Sequence, residues 1–234
     1  NIATTVNYQT DRRVTASLTW QHHFFGDYTT SITANYDGHT GRPYSWTFDN
    51  DANGDSFAYA TDLVYIPRKG DVELVQPDGS PATAAQTKEF YDFIQSDDYL
   101  RKHQGQIASR NGARSPWVNE LDLSFRQEIP GIFDGNKGEV RLDIYNFLNM
   151  LNKDWGHTVD MGFYNVRSLA SFGGVDAGAD GKMGTADDKY IYQLPLDQNG
   201  NYQATERTVY DAGKYTKTNV VSRWSAMVTV RYTF

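Results

Sequence analysis

The chain has no cysteine among its 234 residues, so no disulfide can staple it. That is compatible with a cell-surface protein built without disulfides. It also lacks any run of 18 apolar residues, which excludes a membrane-spanning helix. It has no basic stripe: 29 Asp and Glu stand against 22 Lys and Arg, the net charge is −7, and many Asp fall in apparent loops. This argues against a nucleic-acid partner. Catalytic motifs are missing as well. His22, His23, His39, His103 and His157 are scattered, and none forms a recognisable motif with a Ser. Ser109 and Ser115 have no nucleophile-elbow context. No enzymatic activity is expected, a hydrolase being the minor alternative. Asn1 opens no signal peptide, and a loop-like beginning is what the C-terminal part of a longer protein would show.

What is present is alternation. In Trp224–Phe234, the residues Trp224, Ala226, Val228, Val230, Tyr232 and Phe234 share one parity, and Ser225, Met227, Thr229, Arg231 and Thr233 the other. Successive side chains of a strand point to opposite faces, so this segment has one apolar, aromatic face and one mostly polar face. The same pattern runs through 13–23 (Val14, Ala16, Leu18, Trp20), 28–37 (Tyr28, Ile32, Ala34, Tyr36), 117–129 (Leu121, Leu123, Phe125, Ile129) and 139–148 (Val140, Leu142, Ile144). The third and fourth segments carry seven charges, all on the polar parity. An apolar band with aromatics near its ends, opposite a charged face, is the pattern of a transmembrane β-barrel. Low mean hydropathy is no objection, because half of each barrel strand faces a polar lumen.

The connections alternate in length. Short turns fall at 24–27 and 130–138, and long insertions at about 38–116 and 149–218. Barrels have short periplasmic turns and long extracellular loops, so the expected fold is all-β, an antiparallel transmembrane barrel with a periplasmic C-terminus. The closing strand is expected over 219–234. Five strands cannot close such a barrel, whose smallest bacterial form has eight, so the remaining strands are expected upstream. Within the first insertion, Thr83 with Gln86 reads as a capping box, and Phe90, Phe93 and Ile94 have helical spacing. Between the two charged strands, opposite charges should pair across. Residue numbers summing to 269 would set Glu128 opposite Arg141 and Arg126 opposite Asp143.

Two Asp-rich stretches suggest structural Ca²⁺. Asp176 to Asp187 can be laid on the twelve-residue calcium loop: Asp176 at position 1, Asp180 at 5, Gly181 at the sharp turn, Lys182 at the carbonyl position 7 and Asp187 at 12. Gly178 gives position 3 no side chain, and Asp is short at 12, so Asp188 or water must help. Asp49, Asp51 and Asn53 match positions 1, 3 and 5 of a second such loop, with Gly54 at 6. The bidentate ligand at 12 is missing there, and Asp55 or Asp62 would have to substitute. The plain alternative for both is a surface loop rich in Asx-turns.

Several of these residues together resemble the end of TonB-dependent outer-membrane receptors, the Oar-like subgroup in particular. They are Arg110–Trp117 (RNGARSPW), the strand Leu121–Gln127 (LDLSFRQ), Asp143–Asn149 (DIYNFLN) with Leu151-Asn152, Trp155-Gly156, Ser222-Arg223-Trp224 and Arg231–Phe234 (RYTF), with Asp62–Pro67 (DLVYIP) after the first Asp-rich loop. The resemblance implies a 22-stranded barrel with an upstream plug domain, energised through TonB, for active uptake of a substrate. Peptides or protein fragments would be the cargo suggested by the subgroup. Outer-membrane lipid and the rest of the same barrel would be its partners. A passive porin-like channel and a calcium-stabilised adhesion or protein-docking module are the alternatives.

Overall fold

A computed structural model describes residues 6, 8–56, 62–160, 166–206, 210–211 and 222–234. In chain order the elements are β1 Arg13–Phe25, β2 Tyr28–His39, β3 Pro43–Phe48, β4 Tyr65–Ile66, β5 Val72–Val75, α1 Ala84–Ser96, α2 Asp98–Lys102, β6 Gln106–Ile107 and β7 Ala113–Arg114. They continue with β8 Val118–Pro130, β9 Lys137–Tyr145, α3 Phe147–Leu151, β10 Val159–Asp160, β11 Val166–Asp176, β12 Lys189–Gln193, β13 Thr205–Glu206, β14 Tyr210–Asp211 and β15 Ser225–Thr233. The protein is mostly β-sheet with few helices. Among the described residues no helix is long and apolar enough to cross a membrane, which says nothing of strands. Two compact units divide the chain: Asn1–Gln9, Arg42–Ser115 and Met161–Val209 form one, and Thr10–Gly41, Pro116–Asp160 and Tyr210–Phe234 the other.

The second unit is an antiparallel sheet in the order β1-β2-β8-β9-β15, with a short β10-β14 pair beside it in sequence. Its registers align the apolar residues of all five strands. Trp20 opposes Ile32, Ile32 opposes Phe125, Phe125 opposes Leu142 and Leu142 opposes Val228. The next row on the same face is Leu18, Ala34, Leu123, Ile144 and Ala226. The other parity gives Gln21, Ser31, Arg126, Arg141 and Thr229 in one row. A slip of one residue would flip every side chain of a strand, so agreement across four interfaces means that every strand obeys one pattern. The apolar face is open: Leu18 and Val230 are each 73% exposed and Val228 66%. Gly26, at positive φ (+62°), begins the two-residue turn of the first hairpin, where a primed turn needs a residue without a Cβ.

The charged strands do not take the expected register. Their numbers sum to 267, which sets Arg126 opposite Arg141, Glu128 opposite Glu139 and Ser124 opposite Asp143. The charges are compensated diagonally and along the strands instead. Arg126 reaches both Glu139 (2.7 Å) and Glu128 (3.3 Å), while Arg141 pairs with Asp143 (2.8 Å). Ion pairs at an exposed face contribute so little that neighbours can compensate for almost any register. The turn and the packing decide it. Pro130 opposes Lys137, closed by a Gly131 N–H to Asn136 carbonyl bond (3.0 Å). The side chain of Ile129 then lies over Gly138, where a Cβ would come within 2.7 Å of Ile129 Cγ1.

Most strand ends shift by one or two residues, with Phe24 and Phe25 inside the first strand rather than in its turn, and two ends shift further. The fourth strand stops at Tyr145 rather than 148, because Asn146 turns into the left-handed region (φ 50°, ψ 53°) and α3 follows. Asn tolerates that conformation better than other residues with a side chain. Asn146 is buried, its N–H donates to Asp122 Oδ1 and its side-chain amide to the Gly156 carbonyl, each at 2.8 Å. Asn149 donates to the carbonyls of Lys153 and Trp155, and its Oδ1 accepts the N–H of Trp224. The NFLN run is thus a hydrogen-bonded knot that seats the start of the last strand. That strand begins at Ser225, with Trp224 before it; positions 219–221 of the expected strand lie outside the described residues.

The other unit is built from both insertions together. β3, β5, β7, β11 and β12 lie in the order β5-β12-β11-β3-β7, with β13 also on β11. The pairings β3-β11 and β5-β12 are parallel and join the first insertion to the second. Helix α1 starts with the expected capping box, Thr83 and Gln86 bonding each other's backbone. Its Phe90 and Phe93 pack on Tyr192, Tyr202 and Trp46 in edge-on contacts. Trp46, Phe90, Ile94, Leu100, Leu169 and Tyr192 are fully buried. The guanidinium of Arg167 lies 4.6 Å from the Trp46 ring centroid and 5.6 Å from that of Phe93. This is a core of its own, so these insertions are not simple loops.

Candidate cation loops and an aromatic cleft

In the loop between β11 and β12, Gly178, Gly181 and Gly184 all have positive φ. The turns they make bring carboxylates to one hydroxyl. Thr185 Oγ1 is 2.8 Å from Asp187 Oδ1, 3.1 Å from Asp188 Oδ1, 3.4 Å from Asp180 Oδ1 and 3.0 Å from the Lys182 carbonyl. The outer oxygens face backbone amides: Asp187 Oδ2 accepts from Ala179 (2.8 Å) and Asp188 Oδ2 from Gly184 (2.5 Å). The Thr185 hydroxyl, and then the backbone N–H groups of Asp187, Ala179 and Asp180, hold the Asp187 carboxyl below its ordinary range. Asp180, Asp187, Asp188 and the Lys182 carbonyl are therefore neighbours around the Thr185 hydroxyl. Asp176, placed at position 1 of the calcium spacing, has partners of its own. Its oxygen accepts from Gly178 (3.2 Å), and its carboxyl stands beside Glu73 of β5. Loss of solvation, and then Asp176, push the Glu73 carboxyl above its ordinary range.

The first Asp-rich loop behaves differently. Asp51 takes the N–H groups of Gly54 (2.7 Å), Asp55 (3.2 Å) and Ser56 (2.8 Å). Asn53 Oδ1 accepts from Asp55 N–H (2.8 Å), and its amide donates to Asp55 (3.2 Å) and Asp62 (2.7 Å). These are Asx-turn bonds, in which the side chains serve the loop's own backbone. Asp49 begins the loop as the residue after β3, its N–H bonded to the Ala170 carbonyl. Asn50, which no motif singled out, fastens the loop to Phe172 of β11 by two bonds of 2.7 and 2.9 Å. Among the described residues no group of three or more His, Asp or Glu is arranged to hold a metal ion.

A cleft that no motif announced lies next to both loops. Two cavities, of about 360 and 870 Å³, share Tyr65 and Tyr190. The smaller is walled by Phe48, Phe172 and Ile107, with Asn53 and Asp62 at its polar side. The larger is bordered by Asp71, Asp187, Asp188 and Lys189. Its residues come from five separate segments, so no local spacing could have revealed it. The histidines stay apart: His103 stacks on Tyr99 (4.2 Å between centroids), and His22 lies between Trp20 and Phe24. No protein-family model, no curated protein and no solved structure matches this chain.

Proposed function

We propose that this chain is the C-terminal part of an outer-membrane β-barrel, five strands of a TonB-dependent receptor that takes up its substrate actively. One observation carries the reading. A five-stranded antiparallel sheet holds its apolar residues in register on a single open face, and all eight charged residues of β8 and β9 lie on the opposite one. Soluble monomers rarely expose a large contiguous apolar surface. Against lipid that surface is the stable arrangement, and the charged face then lines the lumen.

Connectivity supports the orientation. The turn at Gly26-Asp27 and the turn at 131–136 lie at one end of the sheet. Both insertions leave from the other, where His39 opposes Val118 and Tyr145 opposes Ser225. The first end is periplasmic and the second extracellular in this reading. Edges β1 and β15 pair with the strands that complete a 22-stranded ring, since backbone groups left open in lipid cost several kcal/mol each. The plug and the TonB contact belong to parts of the receptor other than these 234 residues. The loop at 176–188, which is not already arranged round an ion, would close on Ca²⁺ through Asp176, Asp180, Asp187, Asp188 and the Lys182 carbonyl, hard oxygens of the kind that ion takes. A second reading, a surface docking module, is favoured by the separate core that the two insertions share.

Single cysteines in the membrane-inserted protein test the barrel. Those replacing Trp20, Leu123, Leu142 and Val228 should react with a lipid-soluble reagent. Those replacing Thr19, Arg126, Arg141 and Thr229 should react with a water-soluble one. Reversed labelling on any strand refutes the assignment there, and water-soluble labelling of both sets refutes the barrel.

A further inference from the structure

The cleft around Tyr65 and Tyr190 is chemically lopsided. Rings dominate the wall of its smaller cavity, and Asp62 is the acidic residue among its described lining residues. The rings brace one another edge to face, Phe48 on Phe172 (5.5 Å), Phe172 on Tyr190 (6.0 Å) and Tyr65 on Tyr190 (6.2 Å). About 360 Å³ is within the usual range of small ligand pockets, about 300–1,000 Å³. Across the two tyrosines, the larger cavity sets three carboxylates against one lysine.

Asp62 is held but not used up. Its Oδ2 accepts from Ala52 N (2.7 Å) and Asn53 N (3.3 Å), and its Oδ1 from the Asn53 side chain (2.7 Å). An ionised carboxylate has about four acceptor positions. Among the described residues one therefore remains on Oδ1, and no ion pair includes Asp62.

We propose that this cleft binds a peptide through a Lys or Arg side chain, with the flanking residues over the larger cavity. The aliphatic stem of such a side chain lies among the rings of Phe48, Tyr65, Phe172 and Tyr190, and its cation reaches Asp62. Both halves of the side chain are needed: the stem is apolar and the head is charged. Aromatic faces attract a cation in addition. A neutral apolar side chain would strip water from Asp62 without pairing it, and an acidic one would be repelled. The inference deepens the receptor reading, and it rests on that reading only for the side of the membrane from which the peptide arrives.

The test uses the membrane-inserted protein in detergent and a fluorescent peptide of Ala and Leu with one central Arg, followed by anisotropy. The citrulline peptide, which keeps the shape but not the charge, should bind about ten-fold more weakly or worse. A Glu peptide should not bind. Tyr190→Ala and Ile107→Lys change exposed positions, and each should weaken the Arg peptide by about ten-fold or more. Equal binding of the Arg and citrulline peptides overturns the proposal, as does undiminished binding by both variants. Free arginine amide binding as tightly as the peptide overturns it too, assigning the cleft to small amines. Membrane insertion measured alongside separates the two readings. A protein that inserts but ignores the Arg peptide loses only this inference, and one that binds the peptide without inserting loses the barrel.

Discussion

Leu142→Arg offers the sharpest test of the lipid-facing sheet, because the registers give its depth. Leu142 lies in the row of Trp20, Ile32, Phe125 and Val228. On β8, Leu121 and Ile129 are the same-face residues four positions either side of Phe125. At about 3.4 Å per residue each is about 14 Å away along the strand. With strands tilted by about 45° this becomes about 10 Å of depth, which places Leu142 near the middle of an apolar band about 25 Å tall. An Arg at mid-depth costs about 2–4 kcal/mol, and near the interface about 0–1. Leu142→Arg should therefore lower the folding equilibrium constant by roughly 30- to 900-fold, and Ile129→Arg by roughly five-fold at most. Urea titration of the protein in lipid vesicles, followed by tryptophan fluorescence, measures both. On a sheet standing in water, both positions are partly exposed and the two variants would cost alike. Equal losses below about 1 kcal/mol would refute the lipid assignment and its depth scale.

Phe90→Ala removes a fully buried ring from the core of the other unit and should cost about 3–5 kcal/mol, read as a lower thermal midpoint for that unit. Undiminished stability would mean that α1 is not held by this contact. Asp180→Ala should abolish Ca²⁺ protection of the loop against proteolysis while leaving the sheet folded. Cleavage between Val175 and Lys189 that proceeds equally fast with and without chelator makes the loop an ordinary acidic turn. The Glu73 carboxyl lies above its usual range because partial loss of solvation and then Asp176 favour its protonated form. A carboxyl raised on folding stabilises the fold below its unfolded pKa, and that contribution is lost as pH rises through the folded value. In chelator, the β5–β11 region should thus melt lower as pH climbs through and just above the ordinary Glu range. Glu73→Gln should flatten that dependence, and an unchanged pH profile would show that the carboxyl pair contributes nothing.

The alternation from Val14 to Trp20 and from Leu121 to Phe125 was legible without coordinates, because strand side chains alternate whatever surrounds them. The all-β class, the two short turns and the capping box at Thr83 and Gln86 are likewise local, and they follow from neighbours in the chain. The partner of Arg126 was not legible. Arg141–Asp143 and Arg126–Glu139 satisfy the charges in one register about as well as other pairs would in another, so backbone geometry at Pro130–Lys137 and the fit of Ile129 over Gly138 made the choice. Nor did spacing show that Asp176 would stand beside Glu73, a residue more than a hundred positions earlier that the β5-β12-β11 order brings to it. The cleft depends on the same long-range pairing. Phe48, Tyr65, Ile107, Phe172 and Tyr190 meet only because the two insertions share one sheet and one core, and contacts between distant segments are decided by tertiary packing rather than by local pattern.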